Sequence, residues 1–148
     1  MTSTVPSSPS LGEPSTNIDD LGRQIQLVPR PLFAQWGVRR VGPAETGGVP
    51  GPSTLQLVAV LRYSDSDLRE LQSRARKLSG SSPVREDFFL PWMPDSVRQS
   101  FESRPGQVGL WLKGELHDAA PFVGALFDGG NGTFFVTSDG YVVVVMSR

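Results

Sequence analysis

The chain has no cysteine and only one histidine, His117. The missing thiols exclude disulfide bonds, thiol catalysis and thiolate metal sites, and one histidine is too few for a histidine-based zinc site. No apolar run approaches the roughly 20 residues of a transmembrane helix. Arg23 is the first basic residue, so the N-terminus does not have the pattern of a Sec signal peptide. We expect no bound metal and no membrane span. The expected location is the cytoplasm, or outside the cell by a route without a cleaved Sec signal.

An excess of charge of one sign is also missing. The 14 basic and 15 acidic residues leave a net charge of −1, which argues against a nucleic-acid partner. Only two of the basic residues are lysine, a bias typical of GC-rich genomes that indicates a bacterial source. At 148 residues the chain has the size of one domain, and it can bury a core without disulfides or metals.

The first twenty residues differ in composition from the remainder. Eleven of them are Ser, Thr or Pro, so they offer too little apolar surface to offset the entropy of ordering. We predict a disordered tail at residues 1–20 and a single domain at residues 21–148. The tail also resembles in composition the uncleaved N-termini of bacterial type III secreted effectors, which would make it an export signal.

The last sixteen residues carry the strongest structural signal. Two apolar runs flank Asp139-Gly140, a dipeptide that suits the two-residue type I′ turn of a β-hairpin. Such a turn would place Val136 opposite Val143 and Phe134 opposite Val145. The final strand is apolar on both sides, which indicates a strand inside a sheet that is covered on both faces.

Upstream, the pattern predicts strands mixed with a few helices. Residues 54–63 alternate like a strand, and Ser64 follows as the N-cap of a helix that would end near Gly80. A second helix is predicted at residues 95–103. Other short strands are expected at residues 24–28, 35–41, 107–113 and 121–127. This order predicts an α+β fold: a twisted, mainly antiparallel sheet with a C-terminal meander of four strands ending in the hairpin, and one or two helices packed on one face.

The segment Phe88–Pro94 combines five large apolar residues with two prolines. Since large apolar residues usually lie inside, one interpretation is a loop that covers the core. The other is an exposed anchor for a partner protein, contacted through Phe88, Phe89, Trp92 and Met93.

Candidate catalytic groups are few. His117 lies beside Glu115 and Asp118, and a histidine with a carboxylate can act as general base or acid. However, no G-x-S-x-G motif accompanies them, and the glycine-rich stretch at residues 128–132 lacks the G-K-[ST] of a phosphate-binding loop. No cofactor is expected.

These observations favour a small soluble protein-binding module, such as a bacterial effector, an immunity or adaptor protein, or a phage-borne inhibitor. The alternative is a small hydrolase or ligand-binding domain that uses His117 with Glu115 or Asp118 at the end of the sheet. A homodimer that covers the valine-rich sheet is a further alternative.

Overall fold

The computed structural model describes residues 12–27, 29–41, 54–80, 83–124, 127 and 131–147. Its helices and strands, in chain order, are α1 (Ile18–Gly22), β1 (Phe33–Val41), β2 (Thr54–Arg62), α2 (Asp65–Arg74), α3 (Asp95–Gln99), β3 (Phe101–Ser103), β4 (Leu110–Leu112), β5 (His117–Asp118), β6 (Asn131–Val136) and β7 (Tyr141–Ser147). Single 3-10 turns lie at Glu86–Phe88 and Ala120–Phe122. The predicted α+β class is confirmed.

Five strands form one antiparallel sheet in the order β1-β2-β7-β6-β5, and β3 pairs with β4 in a separate two-stranded sheet. The predicted meander of four strands is therefore one strand too long, since only β5, β6 and β7 follow one another in the main sheet. Over its described residues, the strand predicted at residues 121–127 was wrong, because Pro121 lies in a 3-10 turn that its fixed φ favours. The strand predicted at residues 24–28 was also wrong over its described part: residues 24–27 form turns after α1.

The C-terminal hairpin is confirmed, but its register differs from the prediction by one residue. Phe134 lies opposite Val144, and Val136 opposite Val142. The loop has three residues, not two: Gly140 N–H donates to the Thr137 carbonyl (3.1 Å), and Gly140 takes a φ of 92°. This is the three-residue hairpin in which only the glycine needs positive φ, so the type I′ turn was wrong.

Both faces of the main sheet are covered, as the apolar last strand predicted. We call the side that carries Trp36 the front face and the side that carries Phe135 the back face. The front face presents Ala34, Trp36, Leu57, Ala59, Leu61, Phe134, Val142, Val144 and Met146; the back face presents Val58, Val60, Phe135, Val143 and Val145. We call the two apolar cores formed there the front cluster and the back cluster.

The helices divide between the two faces. Leu21 of α1 and Leu71 of α2 are buried in the front cluster together with the 3-10 turn Ala120–Phe122. Val97 of α3 is buried in the back cluster, which the β3–β4 pair also covers. The expectation of helices on one face holds for α1 and α2 and was wrong for α3, because the back of the central strands is as apolar as the front and also needs a cover.

Helix α2 begins as predicted and ends early. The Ser64 hydroxyl accepts the Asp67 N–H at its N-terminus (3.3 Å). The helix ends at Arg74, well before Gly80, because the following residues pair with the edge of the sheet at β5. Asp118 N–H donates to the carbonyl of Arg76, and Leu78 N–H donates to the carbonyl of Leu116 (both 2.8 Å).

The predicted N-terminal tail overlaps the folded part of the chain. Ser15 exchanges two backbone hydrogen bonds with Trp36 at the outer edge of β1 (2.8 and 2.9 Å). The Trp36 indole N–H also donates to the carbonyl of Asn17, the N-cap of α1 (3.1 Å). Residues 12–20 therefore belong to the fold, and residues 1–11 of the predicted tail lie outside the described residues.

Candidate functional site

The segment Phe88–Pro94 packs onto the back cluster. The rings of Phe88 and Phe89 lie 5.8 and 5.2 Å from Phe101, whose ring lies 5.3 Å from Phe135 on β6. Met93 is buried at 9% exposure. These aromatic contacts tie the segment to the sheet, which is the placement expected of a loop that covers the core.

Trp92 is half-buried and packs against the same cluster. All four residues predicted as partner contacts, Phe88, Phe89, Trp92 and Met93, are therefore half-buried or buried. They offer a partner less apolar area than an exposed anchor would.

The second predicted site is not assembled as a catalytic group. His117 is buried on the front face, where it stacks on Phe134 with ring centroids 4.9 Å apart. Its Nδ1 has no hydrogen-bond partner among the described residues. Asp118 is the next residue of the same strand, so it faces the opposite side of the sheet. No carboxylate of the described chain forms an ion pair with this histidine, as the orienting group of a catalytic pair would.

The two neighbouring carboxylates bind basic residues that follow α2. Glu115 lies 2.8 Å from the Lys77 ammonium, and Asp118 lies 3.0 Å from the Arg76 guanidinium. The hydrogen bond from Lys77 lowers the pKa of Glu115. Glu115 therefore stays ionised near neutral pH, and the two ion pairs hold the post-helix segment against β5.

Tyr63 carries a second buried polar group, a hydroxyl that has no hydrogen-bond partner among the described residues. Burial raises the pKa of its phenol, and the nearby Arg74 charge only partly opposes this. The hydroxyl therefore stays neutral and is a poor base or nucleophile.

The most exposed apolar side chains next to the main sheet lie at the start of β1. Leu32 is 69% exposed and Phe33 is 39% exposed. Phe33 lies opposite Arg62 of β2, which in turn lies opposite Tyr141 of β7. The Arg62 guanidinium sits 4.8 Å from the centroid of the Tyr141 ring, within the range of a cation–π contact. We call Phe33, Arg62 and Tyr141 the aromatic row.

Arg62 makes no ion pair with any residue in the described part of the chain. The guanidinium acts on Asp139 of the hairpin turn through its charge but not at ion-pair distance, so it can still bind a carboxylate from outside. The row lies on the back face at one end of the sheet, where the half-buried Tyr141 also packs against the back cluster.

A cleft of about 270 Å³ lies at the opposite end of the back face, between the sheet and its covering layer. Its walls are mostly apolar: Pro83, Val84, Phe88, Phe101, Leu112, Leu116, Phe135 and Val145. Gln56 and Thr133 supply polar groups to the lining. The Gln56 Oε1 accepts a hydrogen bond from Arg39 Nε (2.8 Å).

The fold and these features define an α+β domain whose sheet is covered on both faces, with an exposed aromatic row and an apolar cleft on the back. Among the described residues no group of three or more His, Asp or Glu could hold a metal ion. Within the same part of the chain, no helix combines the length and the apolar character needed to cross a membrane. No protein-family model matches the chain, and neither a curated protein nor a solved structure matches it significantly.

Sequence reasoning missed both the aromatic row and the cleft. The strand predicted at residues 35–41 began two residues after the observed start of β1, which left Phe33 outside it. The local pattern placed Arg62 near the end of the strand predicted at residues 54–63, and it placed Tyr141 directly after the hairpin turn. Their meeting depends on the pairing of β2 with β7, for which the sequence carries no local signal.

Proposed function

We propose that the protein acts by binding another protein through the aromatic row and the adjacent Leu32. The observation that carries this proposal is the exposure of Leu32 and Phe33 beside an arginine without an ion-pair partner in the described chain. Aromatic residues and arginine are the types that most often dominate the energy of protein interfaces.

The chemistry of the row suits a partner that combines an apolar contact with a carboxylate. Covering Leu32 and Phe33 removes apolar surface from water, and full burial of such a side chain contributes about 1.5–3 kcal/mol. The guanidinium of Arg62 is already oriented by the Tyr141 ring, so it loses little conformational freedom when a carboxylate binds.

This proposal keeps the class of function that the sequence favoured, which is protein binding. It places the binding surface at the aromatic row and not at the segment Phe88–Pro94. Phe88 and Met93 stabilise the back cluster, whereas Leu32 and Phe33 present more of their surface to solvent. A bacterial effector, an immunity or adaptor protein and a phage-borne inhibitor all act by such contacts, and the identity of the partner distinguishes them.

The test is affinity capture from a lysate of the source organism with the tagged full-length chain, followed by purification of the captured protein and a measured Kd. A Leu32→Ser/Phe33→Ser double variant should bind at least about thirtyfold more weakly, the loss expected for about 2 kcal/mol of interface energy. Because Leu32 is mostly exposed and Phe33 is partly exposed, the free energy of unfolding should fall by no more than about 2 kcal/mol, and the variant should stay folded.

Val108→Ser is the matched control, since Val108 is an apolar residue that is 91% exposed between β3 and β4. It should leave the Kd unchanged. Equal binding by the control and the double variant would contradict the assignment of the row. A solution mass of twice the chain that only the double variant halves would identify the partner as a second copy.

A further inference from the structure

We infer that the cleft on the back face binds a carboxylic acid with an unbranched apolar tail of about ten carbon atoms. The tail would lie against the back cluster, and the carboxylate would lie at Arg39 and Gln56. This site is separate from the aromatic row. Phe33 and Arg39 are six residues apart on β1, which corresponds to about 20 Å along a strand.

The size of the cleft together with its apolar walls points to a ligand. It measures about 270 Å³ and is partly open to solvent, and its walls are more apolar than those of the larger grooves elsewhere on the described chain. An apolar cavity of about 150 Å³ holds the six carbons of benzene. By proportion the cleft accommodates roughly ten carbon atoms, the length of a medium-chain acyl group.

The walls of the cleft are held apart by the fold. On one side, Val84 exchanges two backbone hydrogen bonds with Leu110 (2.8 and 2.9 Å), which fixes the Pro83–Val84 rim. On the other side, the ring of Phe88 contacts Phe101, whose ring meets Phe135 of the sheet edge to face. The covering layer cannot settle onto the sheet without breaking these contacts, so the space stays open.

At the end of the cleft that Gln56 lines, Arg39 lies next to this residue and adds a positive charge that suits an anion. Arg39, Gln56 and Ser147 lie side by side across β1, β2 and β7 on the back face. Because Gln56 Oε1 already accepts the Arg39 Nε–H, the Gln56 Nε2 hydrogens and the outer guanidinium hydrogens remain as donors. No carboxylate of the described chain forms an ion pair with Arg39.

These donors select the head group of the ligand. A guanidinium fork matches the two oxygens of a carboxylate, and it disfavours a cationic head group through repulsion. The narrow apolar space selects the tail. The combination describes an unbranched medium-chain fatty acid.

The first experiment is calorimetric titration of the full-length chain with hexanoate, octanoate, decanoate and myristate, each at concentrations where it stays monomeric. Each buried methylene should tighten binding about fourfold, so decanoate should bind roughly 200-fold more tightly than hexanoate. Myristate should bring no further gain, because its tail exceeds the cleft. Absence of binding by decanoate, or an affinity that keeps rising through myristate, would overturn the inference.

The second experiment fills the cleft. Thr133 is half-buried in β6 and lines the space, so Thr133→Phe should place a ring where the tail would lie. Decanoate binding should be lost while the melting temperature stays equal or rises, because the ring fills a void in a strand that favours aromatic residues. Unchanged decanoate affinity in this variant would show that the cleft is not the binding site.

The third experiment separates the head group from the tail by comparing decanoate with decanol. Arg39→Met should weaken decanoate binding at least about tenfold, the loss expected for a charged hydrogen bond, and should leave decanol binding unchanged. Arg69→Met, at an exposed position of α2, is the control and should affect neither probe. Equal weakening of both probes by Arg39→Met would overturn the carboxylate end of the site.

A final variant keeps this inference distinct from the proposed function. The Leu32→Ser/Phe33→Ser protein should bind decanoate with the wild-type affinity, because these side chains lie at the other end of the back face. If the double variant loses decanoate together with its protein partner, the two sites are not independent and the cleft assignment fails.

Discussion

The two faces of the sheet are closed to different degrees. On the front, Trp36, Phe122 and Phe134 are each no more than 1% exposed, and the cluster around them is closely packed. On the back, Phe88 and Phe101 remain half-buried and border a cleft of about 270 Å³. The same sheet therefore supports a dense core on one side and an incompletely filled space on the other. Stability should depend mainly on the front face and binding on the back face.

The front face is closed by the N-terminal segment. The backbone of Gln26 donates to the carbonyl of Phe122 (3.0 Å), and Phe127 N–H donates to the carbonyl of Gln24 (3.2 Å). These bonds bring the turn after α1 against the stretch that follows β5. A segment from near the start of the chain thus seals the core beside strands from its end.

The largest expected effect comes from removing the strand that both faces share. β7 lies at the centre of the sheet, and its Val142, Val143 and Val144 are fully buried. A chain truncated before Gly140 should therefore not fold. Far-ultraviolet circular dichroism and amide NMR spectra should show no cooperative unfolding transition and no dispersed signals. A cooperative transition in this variant would contradict the central role of β7.

The comparison of the faces is tested most directly by a pair of phenylalanine truncations. Phe134→Ala on the front should lower the free energy of unfolding by about 3–5 kcal/mol, because it leaves a cavity in a closed core. Phe88→Ala on the back should lower it by only about 1–2 kcal/mol, because this ring is half-exposed and borders existing space. Urea denaturation measures both values, and equal losses would show that the faces do not differ in this way.

Close packing at the front can also be tested by adding a single methyl group. A Cβ at Gly124 would lie 2.5 Å from the backbone nitrogen of Gln26, while a Cβ at Gly114 would meet nothing within 4 Å. Gly124→Ala should therefore lower the free energy of unfolding by about 1–3 kcal/mol. Gly114→Ala, the control, should change it by less than about 0.5 kcal/mol. A neutral Gly124→Ala would show that the N-terminal segment can move away from the core.

The smallest effect is expected at the exposed hairpin turn, outside both clusters. Slight burial of the Asp139 carboxyl raises its pKa, but the hydrogen bond from Thr137 Oγ1 (2.6 Å) lowers it, and the resulting pKa lies below its usual value. A lowered folded-state pKa stabilises the protein above the unfolded-state pKa, and this stability is lost as the pH falls through the folded-state pKa. For an exposed carboxyl the loss should be less than about 1 kcal/mol. Stability measured from pH 6 down to pH 2 should show this contribution in the wild type and not in Asp139→Asn.

Local signals predicted several elements correctly. The alternating pattern of β2, the Ser64 cap of α2 and the existence of the C-terminal hairpin follow from neighbouring residues, and the structure contains each of them. Helix ends were less predictable. The last predicted turn of α2 is absent because residues 76–78 pair with β5, a contact between distant parts of the chain.

The hairpin shows why a local pattern can be insufficient to predict which residues of two strands lie opposite one another. β7 is apolar on both sides, so a shift by one residue places other valines on each face, and the apolar pattern favours neither register. The turn decides the register instead. The Thr137 hydroxyl accepts the Tyr141 N–H (2.9 Å) and donates to Asp139, which stabilises the three-residue loop over the two-residue one.

By itself, the sequence determined the α+β class, the double-sided burial of its last strand and the absence of thiol chemistry, because composition and short-range periodicity act without knowledge of the fold. Only the tertiary structure decided where the two proposed sites lie. Strand order brings Phe33, Arg62 and Tyr141 into one row, and it places Gln56 at one end of an apolar cleft with Arg39 beside it. Such sites arise from pairing between strands far apart in the chain, and no local preference of the residues specifies that pairing.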